Sequence, residues 1–184
     1  MRNAWMMILA LGIASSALAE EGRFQITPRV GFGDMRIEAG QGVNEKEIGI
    51  DTVNLGGAFG YATAFGLVIE AGLETQADGD LWYTGDDFTL THKYVALGYE
   101  IEFRPGWRFT PKVARTNWKL ESEEGFLFNP GPEEEKDIEG YDYFWEVQLT
   151  RRVSNSIALG AAYRHGEFDF GRANSLSFVA VFEF

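Results

Sequence analysis

Two histidines, His92 and His165, are the side chains best suited to move protons near neutral pH. Their contexts are Thr91-His92-Lys93-Tyr94 and Arg164-His165-Gly166-Glu167. Hydrolysis of a lipid ester would need a serine held beside one imidazole and an acid behind it. No His-x-Ser occurs, and both histidines fall near one rim of the fold derived below, where plain hydrogen bonding is the expected use of both. No catalytic residue is assigned. The second candidate chemistry is cation binding. Glu121, Glu123, Glu124, Glu133, Glu134, Glu135, Asp137 and Glu139 face only Lys136, and Asp78, Asp80, Asp86 and Asp87 form a smaller group. Clustered carboxylates suit Ca²⁺ or Mg²⁺. These lack the spacing of an EF-hand and read first as solvated, self-repelling segments, so no metal and no cofactor is assigned.

A third set of charges is spaced differently. Arg29, Glu70, Glu74, Glu100, Glu102, Arg108, Lys112, Glu146, Arg164 and Glu183 each sit between large apolar residues, one position away on either side or nearly so. That spacing places the charges on one face of a strand and the apolar groups on the other, because successive strand side chains point oppositely. The alternation covers Phe24–Phe32, Val53–Tyr61, Phe65–Leu73, Val95–Phe103, Trp107–Val113, Tyr143–Leu149, Ile157–Tyr163 and Leu176–Phe184. Eight such segments of roughly ten residues have the length of tilted membrane strands. Connections expected at about 37–48, 76–88, 118–140 and 165–174 are long, and those at 62–64, 104–106 and 153–156 are short. The fold this predicts is all-β, an eight-stranded antiparallel up-and-down transmembrane barrel with both termini at the short-turn, periplasmic rim.

Alternation alone does not say which face is outside. A soluble barrel of lipocalin type would put the apolar face inward. An eight-stranded barrel, however, is only wide enough to be filled by its own side chains. Here the small residues Gly31, Gly56, Gly66, Gly72, Ala96, Gly98, Ala114, Ala158, Gly160 and Ala162 lie on the polar face, whereas Phe32, Ile69, Trp107, Trp145 and Phe178 lie on the other. The polar face is therefore expected to line the lumen, with its ions paired, since a lone buried charge is costly. Glu102 and Arg108, flanking Arg104-Pro105-Gly106, are expected to pair across that hairpin. Tyr61, Phe65, Phe103 and Trp107 suit an interfacial aromatic girdle.

The first residues read as an export signal: Arg2, an apolar run over Trp5–Ala14, and Ala17-Leu18-Ala19 as a small-x-small cleavage site. Residues 1–19 are thus expected to be removed and residues 20–184 to form the barrel. The chain has no cysteine, an aromatic fraction of 15% and a formal charge of −12, a balance that argues against a nucleic-acid partner. The last strand, Leu176-x-Phe178-x-Ala180-x-Phe182-x-Phe184, ends on an aromatic carboxyl terminus. It looks like the signal, carried by Phe178, Phe182 and Phe184, that the barrel-assembly machinery reads in Gram-negative bacteria. With the export signal and eight segments, the chain resembles the small OmpA/OmpX-like outer-membrane barrels.

That resemblance implies a one-domain barrel in a bacterial outer membrane, with a role in envelope structure, adhesion or passage of small apolar compounds. The leading expectation is a non-enzymatic barrel whose acidic exterior loops meet envelope or host components. A narrow channel or apolar-compound transporter is the alternative, a lipid-modifying enzyme comes third and a soluble periplasmic barrel fourth. The partners expected are the bilayer and the assembly machinery, with lipopolysaccharide or divalent cations as candidates at the loops.

Overall fold

The computed structural model describes residues 22–38, 47–78, 88–122 and 138–184. The expected export signal lies outside these residues. So do most of the clustered carboxylates. The strands are β1 Arg23–Glu38, β2 Glu47–Ala62, β3 Leu67–Asp78, β4 Phe88–Tyr99, β5 Ile101–Arg104, β6 Trp107–Ser122, β7 Ile138–Arg152, β8 Ile157–Phe168 and β9 Gly171–Glu183. β4 and β5 interrupt at Glu100 but pair in sequence along the same neighbour, β6, so together they are one stave. Every pairing is antiparallel between chain neighbours, and β1 with β9 closes the sheet into an eight-stave barrel. Phe184 completes the closure by exchanging two backbone hydrogen bonds with Phe24, at 3.0 and 3.2 Å.

At the rim that holds both termini the turns are short. Gly66 and Gly106 adopt φ of 96° and 76° in two of these turns, a region glycine enters without steric cost. Gly66 thus belongs to a turn rather than to the lumen wall, and Phe65 lies in the same turn. At the opposite rim, the long connection expected at 165–174 is absent. β8 and β9 pair through to Phe168 and Gly171, leaving only Asp169-Phe170 as the turn, with Gly171 at φ 138°. Strands also run further than expected elsewhere at this rim, to Asp78 in β3, from Phe88 in β4, to Ser122 in β6 and from Ile138 in β7.

The extra length changes the barrel's character along its axis. Near the short-turn rim the outer wall is apolar: Ile26, Val30, Leu55, Phe59, Ile69, Leu97, Val113, Leu149, Leu159 and Phe178 are all exposed there. The strand segments that carry this band, such as residues 24–32 of β1 and 53–61 of β2, have the ~9–11 residues that a tilted strand needs to cross a bilayer. Beyond it the outward positions become Asp34, Arg36, Asp51, Lys93, Arg115, Glu139, Glu167 and Arg172. The inward positions reverse with them. Met35, Ile37, Ile50, Phe88, Leu90, Trp118, Leu120, Phe168, Phe170 and Ala173 form a buried apolar cluster inside the far half.

The expectation of an apolar exterior thus holds for the band and inverts above it. The physical reason is the solvent: the strands outlast the hydrocarbon, and a barrel wall in water needs a polar outside and a dry inside. Phe168 and Phe170 stack at 5.1 Å and Trp118 meets Phe170 edge-on at 4.8 Å, while the Trp118 indole donates to Asp142 at 2.8 Å. Trp118→Ala should therefore lower unfolding stability by about 3–5 kcal/mol. Lys119→Ala on the neighbouring outward position should change it by under about 1 kcal/mol. Urea titration of the folded barrel in detergent reads both.

Candidate functional site: an ionic lumen

Inside the membrane-length half, the wall supplies two ionic layers. Lysine and arginine side chains enter from β1, β6 and β8, and glutamates from β3, β7 and β9, with one more at the β4–β5 break. Their long arms reach the axis because glycine and alanine make room beside them. Gly72 faces the Tyr94 ring so closely that a Cβ there would collide with it.

The central layer is organised around Glu146. Its carboxylate accepts from Arg29 at 2.5 Å, from Arg164 at 2.8 Å and from Lys112 at 3.2 Å. Lys112 also donates to Glu70 at 2.8 Å and to the Gln148 side-chain oxygen at 2.7 Å. Arg164 reaches Glu74 at 3.0 Å, and Arg29 lies 3.7 Å from both Glu70 and Glu74. Arg29, Lys112 and Arg164 thus stand against Glu70, Glu74 and Glu146, and the layer is electrically neutral. All six are buried. The Arg164 guanidinium lies 4.0 Å from the Phe144 ring centre and 4.7 Å from that of Tyr94, which gives its faces an attractive surface where water is absent.

The second layer closes the short-turn end. Glu183 receives Arg23 at 2.8 Å and both terminal nitrogens of Arg108. Glu100 receives Arg23, and the Arg108 Nε is 3.4 Å away. Arg23 and Arg108 therefore balance Glu100 and Glu183. A cavity of only about 10 Å³ remains beside this layer, lined by Gln25, Thr110, Gln148 and Thr150 among others.

Glu102 does not join it. Although Glu102 and Arg108 are register partners, Glu102 is exposed beyond the end of the lumen, and its carboxylate accepts the Gly106 backbone N–H at 2.9 Å. The expected hairpin pair is replaced because Arg108 points inward to Glu183, a buried partner, whereas Glu102 has water and a turn amide. Arg23, absent from the expected set, takes its place, and it keeps the inward parity of Gln25, Thr27 and Arg29.

Above the central layer lies a polar belt. Asn54 donates to Ser177 at 2.7 Å and to Glu74 at 3.3 Å, and Gln76 donates to Glu74 at 3.4 Å. His92 is wholly buried here, its ring 5.3 Å from that of Phe168 and 6.4 Å from that of Phe144. It makes no rim hydrogen bond, contrary to the sequence reading. His165 lies across the wall, paired with Asn174 at 2.6 Å. The two imidazoles are thus on opposite sides of the sheet and share no site. Phe178, Phe182 and Phe184 all project outward from β9 and the terminus.

No family model matches this chain, and no curated protein matches it in sequence. Solved structures do match in shape. The Neisserial surface protein NspA aligns over 90% of this chain and 100% of its own, with TM-score 0.67 and 11% identity. Ail, the attachment invasion locus protein of Yersinia pestis, aligns over 90% of this chain and 99% of its own, with TM-score 0.59 and 10% identity. Its complex with the heparin analogue sucrose octasulfate gives 0.58 and 12% over 89% and 99%. The fold is that of the small outer-membrane barrels. The apolar band and the ionic lumen it encloses are those of a barrel that spans a bilayer.

The central layer should be stabilising only as a complete set. Glu146→Gln removes the charge shared by three buried cations and should destabilise the barrel by about 3–5 kcal/mol. Glu102→Gln should stay within about 0.5 kcal/mol of wild type. Denaturant midpoints of both variants, measured in the same detergent, test the assignment.

Proposed function

We propose that this chain is a non-enzymatic, non-conducting protein of a bacterial outer membrane, which holds a rigid strand-built stalk and its acidic loops beyond the bilayer for contact with envelope or external components. The observation that carries this reading is the inversion along the staves. Strands that continue past the apolar band with a polar outer wall and an apolar interior form a raised platform, and loops on rigid scaffolds are where binding surfaces tend to lie. The short turns and both chain ends then face the periplasm, and the long connections face outward. On this reading Phe178, Phe182 and Phe184 serve the assembly machinery during insertion, and lipopolysaccharide or divalent cations are the candidate partners at the loops.

A channel fits less well. Two neutral ionic layers and the Trp118–Phe168–Phe170 cluster succeed one another along the axis, and wide aqueous pores come with about 16–18 strands. Enzymatic use of the histidines fits poorly too, since His92 is enclosed and His165 is engaged by Asn174 on the other face. Purified barrel in planar bilayers should show no conductance steps above the lipid baseline. Reproducible unitary steps that disappear in Glu70→Ala would replace this reading with the channel.

A further inference from the structure

The described cations divide into those with a partner, Arg172 among them, and those that make no ion pair. Arg23, Arg29, Arg108, Lys112 and Arg164 pair with carboxylates in the lumen, and Arg36 and Lys119 pair with Asp34 and Glu121 on the outer wall. Lys93, Arg104, Arg115, Arg151 and Arg152 make no ion pair among the described residues. All five lie on the β4–β7 side of the barrel and at a border of the apolar band. Three of them, Arg104, Arg151 and Arg152, stand together at the short-turn border.

Two adjacent hairpins bring these three to one stretch of rim, with Arg152 on the alternate face from Arg151 at the exposed end of β7. Trp107 is the register partner of both Arg104 and Arg151. The Arg152 backbone N–H donates to the Gly106 carbonyl at 2.7 Å, tying the β5–β6 turn to the end of β7. The Arg151 guanidinium lies 5.6 Å over the Trp107 ring. All three arginines are exposed, and the nearby Glu102 carboxylate is occupied by the Gly106 amide. Phe103, Phe109, Leu149 and Val153 continue the exposed apolar surface beside them.

Three guanidiniums without an ion pair, one of them over an indole, on a chain of net charge −12, are not explained by the overall field of the protein. They stand where the apolar wall ends, which is the depth of lipid headgroups, and tryptophan and arginine both favour that zone. Guanidinium matches phosphate by paired N–H donors and holds its charge at any accessible pH.

We propose that Arg104 and Arg151, the two register partners of Trp107, with Arg152 at the rim edge next to them, bind the phosphate of an anionic phospholipid headgroup in the leaflet at the short-turn rim. The site rests on the bilayer-spanning reading given above. It would hold one or a few annular lipids against the β5–β6 and β7–β8 turns and fix the depth of the barrel on that side.

The test uses the folded chain in nanodiscs of equal parts phosphatidylcholine and phosphatidylglycerol, released into a mass spectrometer under native conditions. Wild type should carry phosphatidylglycerol in preference to phosphatidylcholine. The variant Arg104→Gln/Arg151→Gln/Arg152→Gln should lose that preference by about tenfold. Arg36→Gln/Arg172→Gln, exposed cations at the far rim, should keep it. Undiminished preference in the triple variant, or an equal loss in the far-rim variant, overturns the site. A wild-type chain that does not enter nanodiscs at all overturns the membrane reading, and this site with it. Should the triple variant not insert, Arg151→Gln and Arg152→Gln singly, read by the same lipid ratio, decide between the two outcomes.

Discussion

Each stave of this barrel keeps its side chains on the same two sides from one rim to the other, because pairing is continuous and strand side chains alternate without drift. A change of surroundings partway along cannot be met by rotating the backbone. It has to be met by residue type. β1 does this within one strand: Ile26, Val30 and Phe32 point outward in the band, then Asp34 and Arg36 occupy the same outer face while Met35 and Ile37 turn inward. β6 repeats the change between Val113 and Arg115 outside, and between Lys112 and Trp118 inside. The two halves share a backbone and differ in which face is dry.

The ionic layers follow from the narrowness that the same geometry imposes. Eight staves leave no room for bulk water, so lumen charges survive only in electrically closed groups. The set around Glu146 and the set around Glu183 each balance separately, which permits the two layers to be stacked without a net field between them. Such a lumen adds conformational specificity more than it adds stability, since apolar residues of equal volume are often as stable as a buried ion network. On the proposed reading, a barrel filled in this way serves as a peg, anchored by its band and extended by its upper half.

Much of this was legible in the residues. The period of two, the stave count, the short turns near 62–64 and at 104–106 and the inward face of the band all follow from alternation and from where small residues fall, although Gly66, expected on the lumen wall, lies in a turn. The inward parity of Arg29, Lys112, Glu146 and Arg164 follows from the same pattern. What was not legible has two causes. Residues 165–174 look polar enough for a loop because their outward members, His165, Glu167, Asp169 and Arg172, face water, yet Phe168, Phe170 and Ala173 keep the alternation going with its sense reversed. Reading for one apolar face throughout ends the strand where the solvent changes. The exchange of Arg23 for Glu102 in the lower layer depends on where the lumen stops, and a register pair says nothing about which side of that boundary a carboxylate occupies.

The reversal of solvent along a single stave is the claim on which the rest stands, and it can be measured directly. The chain contains no cysteine, so single cysteines can be placed on the outward face of β4 by Leu97→Cys, Val95→Cys, Lys93→Cys, Thr91→Cys and Thr89→Cys. In barrels reconstituted into lipid vesicles with the long connections facing out, a membrane-impermeant maleimide should label positions 89, 91 and 93 quickly. It should leave 95 and 97 protected until detergent is added. Labelling that is uniform from 89 to 97, or protection that extends through 89 and 91, would contradict a stave that passes from hydrocarbon into water between Val95 and Lys93.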